Sequence, residues 1–309
     1  MKKYFMLILS LVYLSCLQAS EIDSFQFRYL PLQDSSEIIN NEANRLLKKA
    51  VMNANKRKGC NEKRLYKKIS KLFKNHYRDQ FSKFIYSHES VHRRTIGILD
   101  SIYKDFSITE SFIIGGLGHL YEIAGSIVRM GPYLIGTDKF EHLFGRGYAY
   151  FKKLYFQNMT LENVFNYGIK TEKGILGASM TGVMSYADLA ANFNGLLLWN
   201  HLLKRNKDVF NISNDLGPYI ECIDNKWVNT KMIKLENYID HSMDEAINCS
   251  KFKTKKMVDK IKSRLSQLES KDLNTYQCPI NHEQLINLKD KYHELSKWFI
   301  NFDGHTVVP

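Results

Sequence analysis

Apolar residues recur at helical spacing in both outer thirds of the chain. Leu65, Ile69 and Leu72 lie three or four residues apart with lysines between them, which is typical of an amphipathic helix that buries one face. The last third repeats this spacing in several stretches. The pattern predicts amphipathic helices over 36–55, 62–75, 233–249, 252–270 and 282–301.

The centre of the chain has a different pattern, because it is apolar and rich in glycine. Of the 17 glycines, 14 lie within 97–195. An apolar stretch over 112–128 predicts a further helix, although it contains four glycines between Gly115 and Gly125. Each glycine weakens an isolated helix by about 1 kcal/mol relative to alanine. We therefore expect these glycines to lie in close backbone contact with another element.

These patterns predict an all-α fold in which a glycine-rich apolar central helical module is wrapped by amphipathic helices. The composition agrees, because 44% hydrophobic and 25% charged residues are typical of a globular chain with a core. The predicted regions are a signal peptide over 1–20, a basic helical N-terminal arm over 21–96, the central module over 97–204 and a C-terminal helical region over 205–309.

The first 20 residues have the form of a secretory signal peptide. Two N-terminal lysines are followed by an apolar run over 4–17 and by the small residues Ala19 and Ser20. The run is shorter than the roughly 20 residues of a membrane-spanning helix. A lipoprotein alternative rests on Cys16, although Tyr13 stands where such signals normally carry leucine. The chain is therefore predicted to be exported to the periplasm or the cell envelope, with lipidation at Cys16 left open.

Export changes the interpretation of the cysteines, because thiols pair in an oxidising compartment. Four cysteines follow the signal peptide, and none has the Cys-x-x-Cys spacing of a structural zinc site. We therefore predict one or two disulfides, with three connectivities open. The four residues are Cys60, Cys222, Cys249 and Cys278.

Basic charge is concentrated near the N-terminus. The formal net charge is +12, and residues 21–96 alone carry 17 basic and 8 acidic side chains. Their lysines form either a solvated surface or a face that attracts an anionic envelope polymer or a membrane surface. Nucleic acid is not an expected partner, because no nucleic-acid-binding motif accompanies the basic stretch.

A first polar cluster interrupts the central module near residue 140. Thr137 is predicted to cap a helix whose first turn contains Asp138. Asp138 and His142 then lie one turn apart on one face, with Lys139 and Glu141 beside them. A carboxylate and an imidazole so placed can share a metal ion, or the acid can orient a catalytic imidazole. The structural alternative is an acid favoured at a helix N-terminus that satisfies a buried histidine.

A second polar cluster opens the apolar segment near residue 190. Ser185 and Asp188 match a capping box, and Asp188 and Asn192 lie one turn apart. A buried polar group without a partner costs about 1–3 kcal/mol, so Lys139 and His142 are expected as partners. The residues expected to converge on one polar pocket are Asp138, Lys139, His142, Asp188 and Asn192.

Two further pairs lie in or beside the apolar stretch over 112–128. Ser107 and Glu110 match another capping box, so Glu110 is predicted to be structural. His119 and Glu122 lie three residues apart on one face of the predicted helix, a spacing suited to a shared ligand or to a buried hydrogen-bonded pair. His119 and Glu122 are therefore candidate binding residues, together with Lys139 and Asn192.

The two polar clusters together resemble paired signatures of known exported proteins. The segments 138–142 and 185–192 are similar to the Asp-Lys-x-x-His and Ser-x-x-Asp-Leu-x-x-Asn signatures of an uncharacterised family of proteobacterial envelope proteins, distantly similar to YfiM-like lipoproteins. The closest similarity covers about a third of the chain. It implies an envelope location and a shared core around the Asp138–His142 and Asp188–Asn192 turns, and it implies no reaction.

Three functions remain, because the serine-hydrolase, P-loop and dinucleotide-binding glycine patterns are absent. The first is an exported envelope protein of unknown biochemical activity whose polar cluster joins two central helices. The second is an envelope hydrolase in which Asp138, His142 and Asp188 are the catalytic residues. In it, either His142 is a base oriented by Asp138, or the three residues hold a metal.

The third function is a lysozyme-like peptidoglycan hydrolase, which needs two carboxyl groups on either side of a glycosidic bond. The candidate pairs come from Glu110, Glu122 and Glu141. The sequence names no cofactor and no metal for any of the three functions.

Overall fold

The computed structural model describes residues 21–74, 79–122, 124–174, 177–210 and 216–309. The predicted signal peptide and Cys16 lie outside the described residues. Within the described residues, no helix is both long and apolar enough to cross a bilayer. This part of the chain is mostly helical, as predicted, but it also contains three small antiparallel sheets. The strict all-α prediction is therefore wrong.

The N-terminal region is helical, as the apolar spacing predicts. Helix α1 spans Ser36–Ala54, α2 spans Glu62–Phe73 and α3 spans Gln80–Ser87. The side chain of Asn61 accepts a hydrogen bond from the backbone N–H of Arg64 and caps α2. The apolar face of α2 is buried, and most of its lysines are exposed.

The helix predicted over 112–128 is only partly present. A π-helical turn at Phe112–Gly118 and one further turn at His119–Tyr121 are followed by an extended segment. Gly115 permits the tight turn, because a Cβ at this position would overlap the carbonyl group of Ser107. The expected close backbone contact is therefore present at Gly115, in a short turn and not in a long helix.

The extended segment is the middle strand of an antiparallel sheet. Strands β1 (Arg93–Gly97), β2 (Ala124–Met130) and β3 (Tyr133–Gly136) pair in that order. Ile127 and Val128 on β2 are fully buried, and β-branched side chains favour a pleated surface over a helix. Strand β3 leads directly into the first polar cluster.

Two closely packed helices form the centre of the molecule. The first, α4, consists of consecutive α- and π-helical segments at Lys139–Glu141, His142–Arg146, Gly147–Phe151 and Lys152–Phe156. After α5 (Leu161–Lys173), the second, α6, spans Tyr186–Leu203 and is buried from Ala187 to its end. A Cβ on Gly195 of α6 would overlap the carbonyl oxygen of Leu143 on α4.

The C-terminal region departs furthest from its predicted helices. Helix α7 spans Lys255–Asp272 and α8 spans His282–Tyr292, followed by a 3-10 segment at His293–Trp298. The described segment 233–249 contains no α-helix, only 3-10 turns at Leu235–Asn237 and His241–Met243. The prediction of a helix there is wrong.

Local side-chain hydrogen bonds account for the missing helix over 233–249. The carboxylate of Asp240 accepts a hydrogen bond from the backbone N–H of Ser242, and that of Asp244 accepts one from Ala246. The amide of Asn248 donates to the carbonyl of Ser242. Such bonds offer the backbone an alternative to the helical pattern, so apolar spacing alone gives the wrong structure.

Short strands and disulfides connect the C-terminal region to the rest of the molecule. Strand β4 (Val183–Met184) pairs with β7 (Lys251–Phe252), and β5 (Ile220–Ile223) pairs with β6 (Lys226–Asn229). The predicted disulfides are confirmed, and the structure selects one of the three connectivities. The bonded pairs are Cys60–Cys222 and Cys249–Cys278.

Candidate functional site

Lys139 lies at the middle of a buried cluster of acidic side chains. Its own side chain is 0% exposed. An ammonium group has three hydrogen-bond donors, and here each one meets a different carboxylate. Lys139 Nζ donates to Asp138 Oδ2 at 2.8 Å, to Asp188 Oδ1 at 2.6 Å and to Glu245 Oε1 at 2.6 Å.

His142 joins this cluster from the first turns of α4. Its Nε2 lies 3.2 Å from Asp188 Oδ2, and its Nδ1 lies 3.0 Å from Asn192 Oδ1. An amide oxygen only accepts hydrogen bonds, so Nδ1 carries the hydrogen and donates it to Asn192. The two polar clusters of the sequence therefore meet in space. The catalytic and binding roles of their residues stay predictions.

The start of each helix positions these side chains. Ser185 Oγ accepts a hydrogen bond from the backbone N–H of Asp188 at 3.2 Å and caps α6, as its pattern predicts. The cap predicted at Thr137 is wrong, because Asp138 occupies the N-cap position of α4 and Thr137 Oγ1 has no hydrogen-bond partner among the described residues. Asp138 lies against Gly136, where a Cβ would overlap Asp138 Oδ1.

Glu245 is the member of the cluster that the sequence did not predict. Besides Lys139, it contacts Ser185 Oγ at 3.1 Å through Oε1 and Tyr103 OH at 3.4 Å through Oε2. Burial raises the pKa of Glu245 to about 7, against the opposing charge of Lys139. Glu245 is one acid among many in the C-terminal third, so no local pattern could have identified it.

Two more acids lie within electrostatic reach of the cluster. Burial raises the pKa of Glu21 and of Glu172 well above the ordinary range, and the nearby charge of Asp188 raises both further. Glu172 is 2% exposed, and no described residue donates a hydrogen bond to its carboxyl group. Together with the three partners of Lys139, five acids surround one lysine. A buried excess of acid must be neutralised by protons or by a cation.

The protonation states of the central residues follow from burial and neighbouring charge. Burial lowers the pKa of His142 below its ordinary value, which favours the neutral imidazole. Burial also acts to lower the pKa of Lys139, but the surrounding carboxylates outweigh it and raise that pKa. At Asp188, burial is outweighed by His142 and Lys139, and the pKa is lowered. At neutral pH, a charged lysine and an ionised Asp188 therefore flank a neutral imidazole.

His119 and Glu122 do not share a helical face, so this prediction is wrong. The turn at His119–Tyr121 ends at Glu122, which is exposed and has the left-handed backbone conformation. His119 Nε2 is buried and has no hydrogen-bond partner among the described residues. The glycines before His119 disfavour the long helix that would have placed both residues on one face.

Glu110 has the structural role that the sequence predicts, although it does not begin a helix at Ser107. Its carboxylate accepts hydrogen bonds from the backbone N–H of Ser107 at 2.8 Å and from Lys260 Nζ at 2.7 Å. Ser111 caps the following π-helical turn instead. Glu141 is buried in α4, at 5% exposure.

The segment 88–92 matches the His-Glu-x-x-His pattern of zinc peptidases, a match that sequence reasoning missed. That pattern holds zinc only when both histidines lie on one face of a helix. Here α3 ends at Ser87, His88 has an extended backbone conformation, and His88 Nδ1 bonds Ser90 Oγ at 2.7 Å. The helical context that the motif requires is absent from this segment.

Two groups of three metal-donor residues lie close together within the described residues. One atom from each of Asp138, His142 and Asp188 lies within 4.8 Å of the other two. The second group, which is Cys249, Cys278 and His305, has its two sulfurs joined in a disulfide. Only the first group therefore has all its donor atoms available.

Comparison with known proteins does not identify a family for this chain. No family model matches the chain, and no curated protein and no solved structure matches it. The similarity to YfiM-like proteins therefore stays a prediction. Function has to be argued from the chemistry of the cluster.

Proposed function

We propose that this protein is an exported component of the cell envelope in which the Lys139 cluster fixes the packing of α4 against α6. The observation that carries this proposal is the threefold pairing of a fully buried lysine with Asp138, Asp188 and Glu245. A satisfied buried network specifies one arrangement of its elements even where its net contribution to stability is small.

The structural role is tested by Asp138→Ala and Asp188→Ala. Each should lower the thermal unfolding temperature, and the double variant should lower it less than the sum of the two, because both acids pair with the same lysine. Circular dichroism melting measures this. Intact melting temperatures together with complete loss of an envelope phenotype would contradict a purely structural role.

Export is supported by the form of residues 1–20 and by two disulfides, which are typical of oxidising compartments. Expression of the full chain in a bacterium with an outer membrane, followed by fractionation and mass spectrometry, tests it. We expect a shortened chain in the periplasm or the envelope. Cys16→Ser separates the two alternatives, because it should release the protein from the membrane fraction only if Cys16 is lipidated. A full-length chain in the cytosol contradicts export.

An anionic envelope partner is supported by the exposed lysines of α2. Lys63, Lys67 and Lys71 lie four residues apart, so they share one helical face, and all three are exposed. We expect the protein to sediment with anionic vesicles or with cell-wall polymer, and binding to fall as salt increases. The triple substitution of these lysines by glutamate should abolish sedimentation.

The matched control for this surface has the same change of charge elsewhere. Lys253, Lys262 and Lys271 are exposed on and near α7. Their triple substitution by glutamate should weaken binding much less than the α2 variant. Equal loss in both variants would mean that total charge, and not the α2 face, attracts the partner.

A second candidate function is an envelope hydrolase with its centre at His142, favoured by the proximity of Asp138, His142 and Asp188. The general-base version fits poorly. Nδ1 donates to Asn192 Oδ1, and Nε2 is covered by the Asp188 carboxylate at 3.2 Å, so a substrate proton does not reach Nε2 in this arrangement. The metal-dependent version uses the same side chains and does not require His142 to accept a substrate proton.

The lysozyme-like alternative has less support from Glu110. Burial alone would raise the pKa of Glu110, but hydrogen bonds from Lys260 and Ser107 outweigh it and lower the pKa to about 2. The acid that protonates a glycosidic oxygen needs a raised pKa. Zymography on peptidoglycan with Glu122→Gln and Glu141→Gln tests the remaining pair, and an unaltered clearing zone in both would exclude them.

A further inference from the structure

We infer that Asp138, His142 and Asp188 bind one divalent transition-metal cation and leave at least one coordination position open. The inference goes beyond the structural role, and it would supply the metal for the hydrolase candidate. The three residues bring one donor atom each within 4.8 Å of the other two.

Lys139 bonds only one of the two carboxylate oxygens of Asp138 and of Asp188. Asp138 gives Oδ2 and Asp188 gives Oδ1 to the ammonium group. The second oxygen of Asp138 is buried and has no hydrogen-bond partner among the described residues. The second oxygen of Asp188 faces His142. Lys139 therefore orients both acids and leaves one oxygen of each for another cation.

His142 is arranged as a metal ligand normally is. Its Nδ1–H donates to Asn192 Oδ1 at 3.0 Å, which leaves Nε2 as the ring nitrogen that can bind a metal. Nε2 lies 3.2 Å from Asp188 Oδ2, so one cation can reach both atoms. Metal-binding histidines typically donate their other N–H to an oxygen acceptor, which is the role of Asn192 here.

The charge around the cluster also favours a cation. Asp138, Asp188 and Glu245 all bond the single lysine, so three carboxyl groups face one positive charge. A dication would compensate this excess of negative charge.

The donor set and its exposure indicate the class of metal. One imidazole nitrogen and two carboxylate oxygens suit Zn²⁺, Mn²⁺ or Fe²⁺, and three protein ligands are typical of sites that keep a position for water or substrate. The side chains of Asp138 and His142 are 14% and 13% exposed, whereas Lys139 is 0% exposed. Solvent therefore reaches parts of these two ligand side chains but not the lysine.

The test uses the full exported chain with its disulfides intact, treated with a chelator and then titrated with Co²⁺ and Zn²⁺. We expect one Co²⁺ per chain with visible absorption, displaced by Zn²⁺. His142→Gln and Asp188→Asn should weaken binding at least 100-fold, and Asn192→Ala about 10–100-fold because it supports the ligand. Cobalt binding that is absent, or that His142→Gln leaves unchanged, overturns the inference.

The matched control is His201→Gln. His201 Nε2 lies 3.0 Å from Asp208 Oδ1, so it forms a buried histidine–aspartate pair without a third donor among the described residues. Its substitution should leave Co²⁺ binding unchanged. Equal loss of binding in His201→Gln and His142→Gln would overturn the assignment.

A measurement on the wild-type protein tests metal binding at His142 even if the variants fail to fold. In nitrogen-15 NMR, Zn²⁺ added to the chelated protein should shift the Nε2 resonance of His142 while the hydrogen on Nδ1 is kept. An Nε2 resonance that Zn²⁺ leaves unchanged overturns the inference. Metal binding without hydrolysis of envelope substrates supports the inference and removes only the hydrolase candidate.

Discussion

At the scale of single residues, Lys139 supplies the positive charge that allows the acids of the central cluster to be buried. Without its charge, Asp138, Asp188 and Glu245 would be left buried together with no cation. Removing one partner of a buried ion pair is far more costly than removing both, because the remaining charge loses its compensation. The lysine is therefore the most sensitive point of the network.

We expect Lys139→Met to lower the free energy of unfolding of the chelated protein by about 3–5 kcal/mol. Urea denaturation monitored by tryptophan fluorescence measures the change. Lys256→Met is the control, since that side chain is 74% exposed and lies 3.7 Å from Glu110, and it should change stability by less than about 1 kcal/mol. A similar small effect at Lys139 would mean that the acids are neutralised without it.

Glu110 makes the stability of the fold depend on pH in a defined direction. Its pKa is lowered from 4.5 to about 2 in the folded chain, so its stabilising contribution is present above the unfolded value and is lost as the pH falls through about 2. We expect Glu110→Gln to be less stable than the wild type at pH 7, and the gap in melting temperature to shrink between about pH 4.5 and pH 2.

The control for this titration is Glu162→Gln, an exposed position in the first turn of α5. Its melting temperature should follow that of the wild type across the same pH range. If the gap between Glu110→Gln and the wild type were constant from pH 7 to pH 2, the ion pair with Lys260 would not be the source of the stabilisation.

At the scale of elements, the crossing of α4 and α6 sets the geometry of the site. Gly147 and Gly195 lie at the contact, and a Cβ on either would overlap the backbone of the other helix. Close approach there is what allows side chains at the starts of both helices to meet. These two glycines thus contribute to the geometry of the polar cluster.

We expect Gly195→Ala to destabilise the fold by about 1–3 kcal/mol through overpacking, and to weaken metal binding because α4 and α6 move apart. Thermal melting and Co²⁺ titration measure the two effects. Gly97→Ala is the control, because a Cβ there would make only an ordinary contact at 3.9 Å with Asp100. Equal effects at both positions would show that the helix crossing is not tightly constrained.

At the scale of the whole molecule, the two disulfides close loops of very different length. Cys60 and Cys222 are 162 residues apart in sequence, and Cys249 and Cys278 are 29 residues apart. In the chain-entropy view, a crosslink that closes a longer loop restricts the unfolded chain more. The first disulfide also connects the N-terminal helices to strand β5.

We expect the double variant Cys60→Ala with Cys222→Ala to lose about 5 kcal/mol of unfolding free energy, and Cys249→Ala with Cys278→Ala to lose about 3–4 kcal/mol. Urea denaturation of both variants under the same conditions measures the difference. The reverse order would show that effects on the folded state, such as packing around the fully buried Cys249, outweigh loop entropy.

Local patterns in the sequence were sufficient for α1, α2, most of α7 and the first part of the predicted 282–301 helix. Apolar spacing there coincides with the buried face of each helix. The same rule failed over 233–249 and in the second half of 112–128. In the first case side chains bond the backbone locally, and in the second glycines and β-branched residues favour a turn and a strand.

The sequence by itself determined which residues carry the polar chemistry near positions 140 and 190, because acids, a lysine and an imidazole in apolar segments must find partners. Only the tertiary structure decided what those partners are. Glu245 reaches Lys139 across 106 residues of sequence, and the disulfide connectivity is likewise a matter of long-range packing. Periodicity is encoded within a few turns of chain, whereas such contacts depend on how distant elements pack together.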